Sequence, residues 1–186
     1  MDNFLKQYRR RLNECMESCD WSGVERLAKG IQSARAKGRS IFLCGNGGSA
    51  ANAMHIANDF LCLGSKGKGA KVIALPANQA ILTCLANDTG YDNIFASQLE
   101  QLGAAGDILI ALSGSGNSPN ILKAIITAKR MGMSTCAILG FDGGKCLNAA
   151  DIPIHFPVND MQVAEDLQLI VGHMLMQWFK RGPSNG

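Results

Sequence analysis

Ser113-Gly114-Ser115-Gly116-Asn117-Ser118-Pro119 separates the apolar segment Asp107–Leu112 from the helix-patterned segment Asn120–Met131. The order reads as strand, hydroxyl-rich turn and helix. Glycines let the backbone approach a ligand closely, Ser118 stands where an N-cap is wanted, and Pro119 falls at a first helical position that tolerates a missing N–H. Such a turn is an anion cradle: free amides at the helix start carry partial positive charge, and the hydroxyls of Ser113, Ser115 and Ser118 can donate to phosphate oxygens. A plain helix cap needs one hydroxyl; this turn offers three.

Upstream, a second turn has the same design. Ser40–Cys44 reads as a strand, Gly45-Asn46-Gly47-Gly48-Ser49 as a tight turn and Ala50–Phe60 as a helix. Gly45, Gly47 and Ala50 also fit the G-x-G-x-x-[GA] dinucleotide fingerprint, which makes a nicotinamide or flavin oxidoreductase a competing reading. That fingerprint wants an acidic residue after the next strand for the ribose hydroxyls, and Leu61–Asn87 contains no Asp or Glu. A sugar phosphate without a nucleotide cofactor fits better.

Outward from these turns, short apolar runs alternate with helical patterns. Strands are expected at Ser40–Cys44, Lys71–Leu75, Asp107–Leu112, Thr135–Leu139 and Ile152–His155. Runs without polar alternation suit parallel strands covered on both faces, so the fold class is α/β, a doubly wound five-stranded parallel sheet. Ligands bind such sheets at the carboxyl ends of the strands. Two helical patterns stand outside the alternation, one from about Asn3 through Cys19 continuing to Ala36, the other from about Gln162 to Phe179. An amphipathic helix with no strand before it has no place in the sheet's own layers, which points to a helix-mediated homo-oligomer. The expected organisation is one domain over 1–186, with oligomerisation helices in 1–36 and a loose tail at 181–186.

The 186 residues, 47% of them hydrophobic, suffice for one good core. The net charge of +3 is spread along the chain. Lys6–Arg11 and Lys29–Arg39 are the most basic stretches, but no aromatic-interleaved groove accompanies them, so they read as solvated helix faces rather than a nucleic-acid surface. Seven cysteines, an odd number with no C-x-x-C pair, read as reduced thiols and favour the cytoplasm. No apolar stretch reaches the roughly 18 residues of a membrane span, and the N-terminus lacks a signal-peptide core.

His55 and Asp59 lie four apart in the helix that follows the first cradle and so share a face. Glu165 and His173, eight apart in the last helix, are two turns on and within about a quarter turn of one face. Two imidazoles with two carboxylates can hold Zn²⁺ or move protons between adjacent carbons of a sugar; ordinary surface or satisfied polar residues are the competing explanation. His155, inside a strand pattern, reads as a half-buried structural histidine.

Together these residues resemble a known family. Cys44-Gly45-Asn46-Gly47-Gly48-Ser49-Ala50-Ala51, His55, Ala86-Asn87-Asp88, Ser113–Ser118, Gly140–Gly144 and Gly172-His173 are similar to the sugar isomerase (SIS) domain proteins, and within them to the phosphoheptose isomerase group. The resemblance runs over nearly the whole chain. It implies a flavodoxin-like SIS fold, a homotetramer with sites at subunit interfaces, and isomerisation of sedoheptulose 7-phosphate to D-glycero-D-manno-heptose 7-phosphate through an enediol.

Carried over by position, the resemblance makes Ser113, Gly114, Ser115 and Ser118 phosphate-binding, with Asn46, Gly47, Gly48 and Ser49. Asn87, Asp88 and Glu165 would contact the sugar. Asp59 and His173 would be the acid/base pair, and one Zn²⁺ per subunit would be held by His55, Asp59, Glu165 and His173. Three residues depart from the family pattern: Asp59 replaces a glutamate, Glu165 a glutamine and Gly114 a threonine. The alternative from another class is a non-catalytic SIS module, a sugar-phosphate sensor or a DnaA-binding replication regulator, which would need the cradle but none of the four ionisable residues.

Overall fold

The computed structural model describes residues 1–62 and 69–181. Its centre is a five-stranded, wholly parallel sheet in the order β2-β1-β3-β4-β5, formed by β1 (Ser40–Gly45), β2 (Lys71–Ala74), β3 (Ile108–Ser113), β4 (Ser134–Leu139) and β5 (Ile152–His155). All five expected strands are present, with ends displaced by at most one residue. The alternation of side chains splits the sheet residues between two cores. Ile41, Leu43, Ile108, Ile110 and Leu112 face one, and Phe42, Cys44, Leu109 and Ala111 face the other.

The first core is closed by α1 (Asp2–Ser18), α2 (Ser22–Ala36), α3 (Gly48–Leu61) and α8 (Met161–Arg181). On the opposite face lie α4 (Gln79–Thr89), α5 (Ala96–Leu102), α6 (Pro119–Arg130) and α7 (Gly144–Ala149). The N-terminal pattern, expected as one helix with a continuation, breaks at Cys19–Trp21, where Asp20 accepts from the Ser22 amide (2.9 Å) and hydroxyl (2.9 Å). Of the tail expected at 181–186, Arg181 is the last residue of α8, and 182–186 lie outside the described residues.

The chain leaves β1 for β2 on one side and returns to β3 on the other, so the sheet order reverses between β1 and β3. That switch point leaves a crevice at the strands' carboxyl ends. Gly45 pairs with Leu112 there, which brings both glycine-rich turns to one rim. No helix among the described residues is long and apolar enough to cross a membrane. All seven cysteines are free thiols.

Candidate active site

The two turns enclose one cavity of about 240 Å³, lined by Asn46–Ser49, Leu112–Ser115, Ser118, Met161 and Glu165. Gly47 adopts φ 55°, ψ −123°, a backbone that only glycine enters without strain, and so points the chain directly into α3. Gly116 has φ 64°, and the Gly143 carbonyl occupies the space a side chain there would need. The Gly140–Gly144 turn thus backs the serine loop. Gly140 N donates to Gly114 O (2.9 Å), Cys146 N to Gly116 O (2.9 Å) and Lys145 N to Asn117 Oδ1 (3.1 Å).

Loop amides also set the polarity of the serines. Ser113 Oγ accepts from Gly116 N (3.0 Å) and Ser115 Oγ from Asn117 N (3.3 Å). A hydroxyl whose oxygen already accepts has its proton left to give, which is what an anion needs. Ser118 does stand at the N-cap of α6 with Pro119 behind it, but it makes no side-chain cap bond. Among the described residues Glu165 is the only charged side chain lining the cavity, and the anion-binding groups they bring there are amides, hydroxyls and the starts of α3 and α6.

The crevice is tied together by Asn52, Tyr91, Asn120 and Gln168, which sequence reasoning missed. Asn46 and Asn120 exchange amide hydrogen bonds (2.9 and 2.8 Å), joining the first turn to α6, and Tyr91 Oη donates to Asn46 Oδ1 (3.0 Å). Asn52 Nδ2 donates to Glu165 O (2.9 Å) and Gln168 Oε1 (3.0 Å), and Gln168 Nε2 to Ser49 Oγ (3.0 Å). The faint signal was a polar residue at each otherwise apolar helix position. Asn120 and Gln168 are each 1% exposed, so these amides had to find partners.

Those bonds set α3 and α8 side by side and in the same direction. Farther along the pair, Gly172 meets Ile56, whose Cγ1 lies 2.7 Å from the position of an added Cβ. Only the absence of a side chain at 172 lets the helices approach so closely. At the adjoining positions the cluster forms: His55 Nε2 is 2.9 Å from His173 Nε2, and Asp59 Oδ2 is 3.6 Å from the first and 3.7 Å from the second.

The four-ligand set expected from the sequence is not assembled. His55, Asp59 and His173 offer donor atoms within 4.8 Å of one another, whereas the Glu165 carboxylate lies against Gly48 in the cradle. The reason is helical rise: eight residues separate Glu165 from His173 by about 12 Å along the axis. Asn87 and Asp88, at the exposed end of α4, do not line the cavity either. Asn87 Nδ2 donates to Asp88 Oδ1 (2.7 Å), which holds the Asp88 carboxyl below its usual range, with the Cys84 thiol helping. His155 is half-buried with Nε2 3.0 Å from Phe141 O, a structural bond. Burial pushes the Cys44 and Cys146 thiols up, the latter to about 11, so neither is a ready nucleophile.

Two imidazoles and a carboxylate with an open side fit a catalytic zinc site, which takes three protein ligands and leaves a position free. For bonds of about 2.0 Å at tetrahedral angles the ring nitrogens would sit roughly 3.3 Å apart, a small opening from the geometry seen.

The SIS domain family matches residues 3–140. The phosphoheptose isomerase of Clostridium acetobutylicum is 39% identical over 153 residues, 82% of this chain and 78% of that protein. That of Helicobacter pylori is 35% identical over 175 residues, 94% and 91% of the two chains. Among solved structures, a phosphoheptose isomerase from Neisseria gonorrhoeae superposes with a TM-score of 0.89 at 27% identity, covering 97% of each chain. Vibrio vulnificus NanR, solved with ManNAc-6P, shares the fold at TM-score 0.66 and 16% identity, over 95% of this chain and 60% of that one.

Proposed function

The chain belongs to the SIS domain family, and from that footing we propose that it is an aldose–ketose isomerase converting sedoheptulose 7-phosphate into D-glycero-D-manno-heptose 7-phosphate, a step of heptose biosynthesis. The observation that carries the substrate is a spacing. The cradle and the His/Asp cluster lie about 10 to 12 Å apart along α3 and α8, from Gly48 to His55 and from Glu165 to His173. Eight bonds join C1 of an open-chain heptose to the phosphorus of its 7-phosphate, and at about 1.2 Å of advance per bond they span about 10 Å.

With the phosphate in the cradle, the Asp59 carboxylate takes a proton from C1 and returns it to C2. In the metal-free form His173 gives a proton to O2 as the enediol forms and takes one from O1 as it collapses to the aldose. Proton transfers of this kind by placed side chains supply about 10²–10⁴ in rate. Glu165, within the cradle, contacts the sugar beyond the phosphate. Asn87 and Asp88 reach sugar hydroxyls in a homotetramer with sites at subunit interfaces. Supporting this are the exposed ends of α4 and an apolar groove between α2 and α8, lined by Val24, Ala28, Met174, Leu175 and Trp178, for a second copy to cover. Free thiols accord with a cytoplasmic enzyme.

His55, Asp59 and His173 would hold one Zn²⁺, which would polarise the carbonyl and stabilise the enediolate oxygen. The lone pair of His173 Nε2 serves either a metal or a proton, so metal binding and acid–base work by that atom exclude each other. Proton NMR of sedoheptulose 7-phosphate in D₂O, with and without EDTA or added Zn²⁺, tests the reading. The expected result is an aldose carrying deuterium at C2. No exchange under any metal condition, with phosphate binding intact, would convert the protein into a sensor. Loss on EDTA and recovery on Zn²⁺ would assign His173 Nε2 to the metal.

A further inference from the structure

Gly114 is the one residue of the serine loop whose side chain is missing from the cradle wall without a backbone reason. Its φ lies outside the left-handed region, and the space a Cβ would take is filled by the Sδ and Cε of Met161, with the Phe141 ring 3.9 Å away. No backbone atom stands in the way. Met161 is the first residue of α8, and its main chain is held firmly. Asp160 Oδ1 accepts from Gln162 N (3.1 Å) and Val163 N (3.3 Å), and Asp160 Oδ2 pairs with Arg11 of α1 (3.0 Å). Met161 is 38% exposed and lines the same cavity as the serines.

The cavity is therefore two-sided. Amides and hydroxyls of Asn46–Ser49, Ser113, Ser115 and Ser118, together with the Glu165 carboxylate, form the polar part, and Leu112 with Met161 forms an apolar part. Inorganic phosphate placed there turns an oxygen towards a thioether that cannot donate, and an unpartnered polar atom is costly. A phosphate monoester can turn its ester carbon that way instead. An unbranched, polarisable thioether adapts to such a carbon better than a fixed wall.

We propose that Met161 is a specificity-determining residue of the cradle. Its thioether takes the place of a side chain at position 114 and gives the anion site an apolar, adaptable wall that favours phosphate monoesters over inorganic phosphate. The proposal rests on reading this cavity as a phosphate site, so its test uses binding, and turnover of sedoheptulose 7-phosphate by the same preparations reports on the reaction separately.

The probes are glycerol 3-phosphate and inorganic phosphate, titrated calorimetrically into wild type, Met161→Ala, Gly114→Ala and the double variant, with melting curves confirming that each is folded. Wild type should prefer the ester. Loss of contact with about one methylene lowers that preference about fourfold in Met161→Ala. Gly114→Ala, by expelling the thioether, should do the same. In the double variant the loss should stay near fourfold rather than multiply to about sixteenfold, because both changes remove one contact. An unchanged preference in Met161→Ala, multiplicative losses, equal wild-type affinity for both probes, or binding of neither would each overturn it. Should Gly114→Ala fail to fold, the preference measured in Met161→Ala decides alone.

Discussion

The cradle and the His/Asp cluster share α3 and α8, yet they are built by opposite means. Main chain makes the cradle: a positive-φ glycine at the start of α3, serines whose oxygens are already engaged by loop amides, and a supporting turn at Gly140–Gly144. Two of its hydroxyls are withdrawn from solvent, Ser49 at 4% and Ser113 at 5% exposed, while Gly47 and Gly48 stay open. Side chains alone make the cluster, and His55 and His173 are about half exposed. A site made of backbone is preorganised by the fold itself; one made of three side chains depends on how two helices are spaced. Phosphate binding should therefore be robust to change near the cluster, and turnover should be sensitive to anything that moves α3 against α8.

The sharpest way to break this contrast is Asp59→Asn. Removing the base should lower kcat by about 10²–10⁴ while the dissociation constant for the sugar phosphate stays within about threefold, as steady-state kinetics and calorimetry would show. A comparable rise in the dissociation constant would mean that the two regions do not divide the labour. Ser115→Ala is the converse experiment. Loss of a hydrogen bond to a charged group, about 1.5–3 kcal/mol, should raise KM between about tenfold and a hundredfold and leave kcat within about twofold.

Gly172→Ala addresses the spacing itself. The added methyl meets Ile56 where α8 packs on α3. A displacement of the order of 1 Å at the cluster should cost about tenfold in kcat, with phosphate affinity unchanged. Shortening Ile56 to Val in the same protein should return part of the loss. A fall in phosphate affinity instead would show that the helix pair also sets the cradle.

The same contrast explains what could be read in the sequence. Strands and cradle were legible because short apolar runs, and glycine, serine and proline at fixed offsets, act on the chain next to them, whereas the switch point between β1 and β3 needed the strand order. Ser118 shows the edge of that legibility: its N-cap position was readable, but its hydroxyl makes no cap bond. The cluster was half legible. His55 and Asp59 meet by spacing on one helix, whereas the partnership with His173 required knowing the direction and register of α8 against α3. Glu165 was grouped with His173 because the two share a face, and the rise between them carries it into the cradle instead. Asn120, Gln168 and Met161 went unremarked because each owes its importance to a partner at least 47 residues away, at Asn46, Ser49 and Gly114 respectively.

The smallest effect tests how α8 is held at its cradle end. Tyr8 on α1 donates to Asp166 Oδ2 (2.5 Å), beside the Arg11–Asp160 pair, so α1 grips the first turns of α8. Burial, then this hydrogen bond and the charge of Asp166, raise the Tyr8 hydroxyl from 10.0 to about 12. Because the folded state favours the protonated phenol, its contribution to stability is complete below pH 10 and disappears as pH rises through about 12. Tyr8 is partly exposed, so the contribution is screened and should stay under about 1 kcal/mol. Wild type should therefore melt slightly above Tyr8→Phe by a constant margin up to pH 10, and the margin should close at higher pH. With the cradle made of backbone, phosphate affinity should not follow that margin. If it weakens in Tyr8→Phe, the start of α8, with Met161 and Glu165 on it, is positioned from α1, and the cradle is less self-sufficient than its main-chain construction implies.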